Sequence, residues 1–328
     1  MQVVLGTDAL VHVEPSPDAA VGAPGEVLLA PVHMGICGSD VHVLHGRHPF
    51  ARPPVVTGHE IVARVLDVGA DVRRVAPGDA AVVNPLVWCG TCPRCRAGAV
   101  NQCAEAKVRG FRVPGLARAR VAVDERYCHR VPDGVPTRVA VLTEPLAVAW
   151  HATARGGDLG RVLVIGAGPV GLAVLRALRW RGAGDVTVVE PVAGKRETAI
   201  GLGADRAVAP GALPAGLEVD TTFDCVAADT TLHTAGAVTV PGGTIVVVGV
   251  PDDDRSLPLP RLQRWEIDVR GTGLYVSADI EAALSRLGDD TDAAARLVTA
   301  EHPVTEAAAA FAAAEQPDHI KVLITWPT

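Results

Sequence analysis

The stretch RVLVIGAGPVGLAVLRAL, residues 161–178, decides the fold of half the chain. After Arg161 it is continuously apolar, the pattern of a strand buried on both faces, and it runs straight into Gly166-Ala-Gly168-Pro-Val-Gly171. Pro169 stands where a helix tolerates proline, in its first turn, and Gly182 falls past the end of the leucine- and alanine-rich helix that follows. A glycine pattern of this kind is weak by itself. Here it follows a strand, opens a helix, and has an acidic residue, Glu190, at the end of the next strand (DVTVVE), 19 positions after Gly171. That context is what binding a dinucleotide requires. Gly166 permits the tight turn, Gly168 lets a pyrophosphate approach the backbone, Gly171 lets helix and strand pack closely, and the helix N-terminus supplies a positive dipole. Gly166, Gly168, Pro169, Val170 and Gly171 are therefore the expected cofactor-binding residues. Glu190 is expected to accept from the adenosine ribose hydroxyls and to repel a 2′-phosphate, which favours NAD over NADP; the competing reading is an ordinary strand-end carboxylate. Lys195 and Arg196, a few residues downstream, soften the cofactor preference.

Outward from this stretch, strands and helices alternate: helix material around GKRETAIGLGAD, strand TTFDCVA, a helix near TLHTAGAV, strand GTIVVVGV and a strand near IDVRGTG. Such alternation predicts a parallel, doubly wound sheet. Upstream the pattern is different, with short apolar runs (VLLAPV, VVTGHEIVARVLDV, AAVVNPLV) broken by Gly and Pro, as in a compact β-rich domain. Downstream come the helix ADIEAALSRL, the alanine-rich TEAAAAFAAAE with Thr305 as its expected cap, and a last strand HIKVLIT. This tail is too small for a domain and is expected to return to the first. The predicted organisation is 1–148, 149–272 for the dinucleotide-binding domain, and 273–328 for the return segment.

Cys89, Cys92, Cys95 and Cys103 lie within CGTCPRCRAGAVNQC, separated by three, three and eight residues. One short lobe, 88–104, can wrap a single zinc with four thiolates at this spacing, and a metal so enclosed has no vacancy for a substrate. Disulfides are disfavoured by the odd count of seven cysteines and by a start, MQVVLGTDALVHVEP, without signal-peptide segments. A nucleic-acid-binding ribbon is disfavoured by the net charge of -7. No apolar run reaches the ~20 residues of a membrane span. At 328 residues and 48% hydrophobic content the chain can build two cores.

A second set of potential ligands is scattered: Cys37 in GICGSDVH, His59 and Glu60 in TGHE, Glu144 in VLTEPLAVAWHA. Cysteine, histidine and carboxylate suit zinc, and three protein ligands leave one position open. Taken singly, Cys37 reads as a small core residue and His59 as a hydrogen-bonded histidine.

Taken together, GICGSDVH, TGHEIVARV, CGTCPRCRAGAVNQC, TEPLAVAWHA, VLVIGAGPVGL and IKVLI, in this order, resemble the zinc-dependent medium-chain alcohol dehydrogenases over essentially the whole chain, and within them the polyol (sorbitol or xylitol) dehydrogenase branch. The resemblance implies an α/β fold made of a GroES-like β-rich catalytic domain and a Rossmann cofactor domain. It implies two zinc ions per chain, one structural and one catalytic, with Cys37, His59 and Glu144 as catalytic-zinc ligands, Glu60 next to the metal or coordinating it, and Asp40 orienting His59. It implies hydride transfer from a zinc-polarised secondary alcohol to NAD, with Ser39, the nicotinamide ribose and then His42 carrying the proton away. It also implies a cytoplasmic homo-oligomer, a dimer or tetramer, whose partners are small alcohols or ketones.

Some positions depart from the polyol branch. Val43 stands where a pocket tyrosine is usual, Leu274-Tyr275 where an arginine precedes the tyrosine, and the stretch from Val108 to Val123 differs from the usual glycine-rich approach. The substrate is therefore expected among secondary alcohols of the polyol, cyclitol, sugar or amino-alcohol type. Threonine dehydrogenase-like oxidation of an amino alcohol is the nearest alternative, and a non-catalytic zinc-stabilised protein of the same fold is the other.

Overall fold

The computed structural model describes residues 1–327 and divides into two compact units, Met1–Glu144 with Tyr275 onward, and Pro145–Leu274.

In the second unit six parallel strands lie in the order Arg206–Val208, Asp185–Val189, Arg161–Ile165, Val219–Asp224, Thr239–Val247 and Asp268–Gly271. The first strand of the unit is central, and the order reverses beside it, which is the doubly wound arrangement whose switch point lies at the strand ends. Leu163, Ile165, Val189, Val219 and Ile245 form its core with Ala235, Leu262 and Ile267. Burying each large apolar side chain contributes about 1.5–3 kcal/mol. The helix Pro169–Trp180 starts with proline in its first turn, and Gly182, at φ 73°, ends it in the left-handed conformation. Two elements carry no legible pattern in the sequence. The edge strand Arg206–Val208 has three residues, too few to show a period, and the helix Leu259–Trp265 starts among prolines.

The first unit is built on the strand Glu26–Gly35, which pairs antiparallel with Glu60–Val68, with Val121–Asp124 and with Lys321–Thr325. Pro31 cannot donate to the ladder, and the register with Glu60–Val68 shifts between Pro31 and His33. The sheet runs Cys128–Arg130, Ala80–Val83, Glu60–Val68, Glu26–Gly35, Lys321–Thr325, Val298–Pro303. The return segment thus supplies two strands that complete the sheet of the first unit. Gly35 stands opposite Glu60 on one side and Leu323 on the other, so the register alone brings positions 60 and 321 together.

The alanine-rich helix begins at Ala307, behind the 3-10 turn Val304–Glu306, with Glu306 rather than Thr305 at its N-cap and no side-chain cap bond. Thr305 is absorbed into the tight turn that follows Pro303, which removes it from the capping position.

Gly171 is needed for close approach. A Cβ there would lie 1.8 Å from the carbonyl oxygen of Gly166. Gly171→Ala is expected to destabilise the second unit by about 1–3 kcal/mol through overpacking, read as a lower urea midpoint, and to weaken nicotinamide cofactor binding in a fluorescence titration.

Candidate active site and metal centres

Cys37 stands at the N-terminus of the short helix Gly38–Leu44, whose third residue, Asp40, turns back to accept the Cys37 amide at 3.0 Å. Asp40 is fully buried, accepts the Thr57 hydroxyl at 2.6 Å, and lies 3.4 Å from His59 Nδ1, an ion-pair contact without hydrogen-bond alignment. With Nδ1 turned to Asp40, the other ring nitrogen of His59 is the one left for a metal. Burial pulls the His59 pKa down, but the charges of Asp40 and Cys37 outweigh it and hold the pKa well above the ordinary value. The Asp40 carboxylate thus faces the His59 ring at ion-pair distance.

Cys37, His59 and Glu60 each offer a donor atom, and these atoms lie within 4.8 Å of one another. Glu144 is not part of that group. Glu60, which the resemblance puts next to the metal or on it, thus sits in the cluster, and Glu144, which the resemblance puts on the metal, lies outside that group.

Each carboxylate has its own buried donor, and both donors come from the return segment. Lys321, 1% exposed, extends Nζ to the two carboxylate oxygens of Glu60 at 2.7 and 2.6 Å and to the carbonyl of Ile36 at 3.1 Å. Gly35 makes room for this pair, since a Cβ there would lie 2.0 Å from Glu60 Oε2. Tyr275, fully buried, donates its hydroxyl to Glu144 Oε1 at 2.9 Å. Burial pushes the Glu144 pKa up to about 7, against the charge of His59 and with that of Glu60. Burial and the same carboxylate raise the Tyr275 pKa well above its usual value, so the hydroxyl stays a donor.

Neither Lys321 nor Tyr275 has a role in the sequence reading. The available signal was a lysine inside the apolar run IKVLIT, since a charge placed in a buried strand needs a partner. Val43 is fully buried in the hydrophobic core, so it packs there and is not a wall residue. Phe111, from the stretch that departs from the family pattern, lies with its ring centroid 4.8 Å from that of His59. Ser39 and His42 are one turn apart on the helix Gly38–Leu44, both half-buried.

In the lobe, the sulfurs of Cys89, Cys92, Cys95 and Cys103 lie within 4.8 Å of one another, and all seven cysteines are free thiols. Backbone amides of Thr91 and Cys92 point at Cys89 Sγ, 3.4 and 3.3 Å away, and pull its pKa down to about 6. Desolvation and the neighbouring Cys92 thiol push Cys95 up to about 12. Thiols crowded so closely ionise together only with a cation among them, which is the donor set of a closed zinc site.

In the second unit Glu190 is 6% exposed, and its two oxygens accept the amides of Ala167 at 2.8 Å and Val192 at 2.9 Å. The carboxylate thus braces the glycine turn from the neighbouring strand.

A model of the alcohol dehydrogenase GroES-like domain matches residues 23–133, and one of the zinc-binding dehydrogenase domain matches residues 169–289. Sorbitol dehydrogenase of Ovis aries is 33% identical over 92% of this chain and 89% of its own length. 2-Dehydro-3-deoxy-L-galactonate 5-dehydrogenase of Pseudoalteromonas atlantica is 30% identical over 92% and 91%. The solved structure of L-idonate 5-dehydrogenase from Escherichia coli superposes with a TM-score of 0.91 at 26% identity, covering 99% of this chain and 97% of that one. The chain belongs to the zinc-dependent medium-chain alcohol dehydrogenases, enzymes that pass hydride between an alcohol and a nicotinamide cofactor. Within them it falls in the branch resembling the polyol dehydrogenases.

Breaking the Lys321–Glu60 pair from one side leaves a buried carboxylate unpaired. Lys321→Met is expected to cost about 3–5 kcal/mol, and Lys321→Met with Glu60→Gln to recover most of it, because no charge is then stranded. Chemical denaturation of the three metal-free proteins measures both.

Proposed function

We propose that this protein is an NAD-linked oxidoreductase acting on a secondary alcohol of a polyol or sugar-derived substrate, with two zinc ions per chain. The observation that carries the reading is the open three-donor cluster of Cys37, His59 and Glu60 with a second carboxylate, Glu144, beside it. Cys37, His59 and Glu60 would hold the catalytic metal, and the four cysteines of the lobe the structural one. The catalytic zinc, when bound, polarises the substrate hydroxyl and makes its proton easier to lose.

The chain's own groups do the rest. Asp40 holds the His59 ring, and Lys321 offsets the charge of Glu60, so the cluster does not gather three uncompensated anions. Glu144, kept near neutrality by burial and oriented by Tyr275, can take or return a proton at physiological pH. Ser39 and His42 are the proposed exit for that proton, supported by their places one turn apart directly after Cys37. Glu190 keeps lone pairs for ribose hydroxyls while bracing the glycine turn. The guanidinium of Arg196 is tied to the carbonyls of Glu190 at 2.8 Å and Pro191 at 2.6 Å, which supports NAD over NADP. The names of the sorbitol and sugar-acid relatives support the substrate class. Assembly as a dimer or tetramer rests on the resemblance alone.

Metal analysis is expected to give two zinc per chain, with Cys92→Ser and His59→Ala each losing a different one; a single zinc in the wild type overturns the two-site reading. A panel of polyols, cyclitols, sugar acids and amino alcohols, run with NAD and NADP side by side, is expected to give NADH absorbance that His59→Ala abolishes. No reduction of either cofactor across the panel would overturn the assignment.

A further inference from the structure

The ring of Phe111 contacts two histidine rings beside the candidate catalytic cluster. The ring of Phe111 lies 4.8 Å from His59, tilted by 46°, and 4.8 Å from His48, stacked at 26°. His48 follows the helix that carries Cys37, Ser39 and His42, on the segment that leads to TGHE. Phe111 comes from the stretch whose contacts the family pattern does not supply.

His48 is held with little freedom. Its amide donates to the carbonyl of His42 at 3.1 Å, its carbonyl accepts from the Arg52 guanidinium, and its Nδ1 accepts the Phe50 amide at 3.2 Å. The side chain is 5% exposed. Burial, with the charges of His42 and His59, lowers its pKa to about 4, so the ring is neutral at physiological pH. A neutral imidazole that accepts at Nδ1 carries its proton on Nε2. That N–H has no protein acceptor among the described residues, and it is not one of the sealed, partnerless atoms of the interior. The structure therefore fixes one neutral donor, linked to His59 through the ring of Phe111, and leaves it available.

We propose that His48 Nε2–H is a specificity-determining group that binds a second substrate hydroxyl, one other than the hydroxyl that reacts, so that the site selects diols and polyols over simple secondary alcohols. The proposal rests on the catalytic reading of Cys37, His59 and Glu60 given above. A hydroxyl suits this donor better than a carboxylate does. His48 brings no positive charge, the Arg52 guanidinium is committed to the carbonyls of His48 and Ala51, and the carboxyl groups of Asp40, Glu60 and Glu144 surround His59. Phe111 acts as a positioning residue, its ring in contact with those of both His48 and His59.

The test uses matched pairs that differ by one hydroxyl: 2,3-butanediol with 2-butanol, and 2,4-pentanediol with 2-pentanol. With the zinc-loaded enzyme and NAD, the ratio of kcat/KM for diol over mono-ol is expected to fall about tenfold in His48→Leu, the effect of one neutral hydrogen bond. In His48→Gln, whose amide restores a donor, the ratio is expected to stay within about threefold of wild type. The second readout is the 15N–1H correlation of His48 Nε2 in the zinc-loaded protein, expected to shift with the diol of each pair and not with the mono-ol. An unchanged ratio in His48→Leu, equal impairment in His48→Gln, or an imidazole signal that moves equally or not at all with the two alcohols overturns the proposal. Failure of the catalytic reading is separate, and shows as wild-type protein that binds no zinc at His59 and oxidises none of the four alcohols.

Discussion

The ammonium of Lys321 and the carboxylate of Glu60, 261 residues apart in sequence, meet at 2.6 Å with both side chains about 1% exposed. Two charges taken this far from water are tolerable only together, so the pair constrains everything that positions either one. Glu60 begins the strand that also carries His59 at its entrance, and Lys321 begins the strand that returns the chain's end to the sheet. Between them runs Glu26–Gly35, whose last residue must lack a side chain for the pair to form. Whatever seats Lys321 also seats the carboxylate beside Cys37 and His59.

The same logic extends to the second carboxylate. Glu144 sits in a helix that begins at Thr143, and its hydrogen-bond donor, Tyr275, enters at the point where the chain comes back from the cofactor-binding unit. The first unit alone, without its return segment, would hold two buried carboxylates with no donor for either. Closure of the sheet by the tail and electrostatic balance at the site are one requirement. The lobe of four cysteines is a different case, a short loop whose four sulfurs lie within 4.8 Å of one another and offer the donor set of a closed metal site. Its sulfurs belong to one stretch of 15 residues, so its geometry is local.

Legibility in the sequence follows this distinction between local and distant causes. The glycine turn, the helix after it and Glu190 are set by neighbours in the chain, and the parallel, doubly wound character of the second unit's sheet follows from the alternation of elements. The same holds for the cysteine lobe. Thr305 was misplaced because a 3-10 turn after Pro303 takes the residues that a plain helix start would have used. Val43 reads as a pocket position by resemblance, but it faces the core because it falls on the inner side of a seven-residue helix. The strand Arg206–Val208 is too short to declare a period.

The sequence by itself determined the two-part α/β fold and the family, and it singled out the four cysteines of the lobe and Cys37, His59, Glu60 and Glu144 as the candidate chemistry-bearing residues. Only the tertiary structure decided which carboxylate shares the cluster, which donors hold each of them, and that the Phe111 ring contacts both His48 and His59. The reason is that a motif records spacing along the chain, whereas donor geometry depends on strand register between segments 131 and 261 residues apart. A shift of one position in the pairing of Gly35 with Glu60 or with Leu323 would turn those side chains to the opposite face and leave every motif intact.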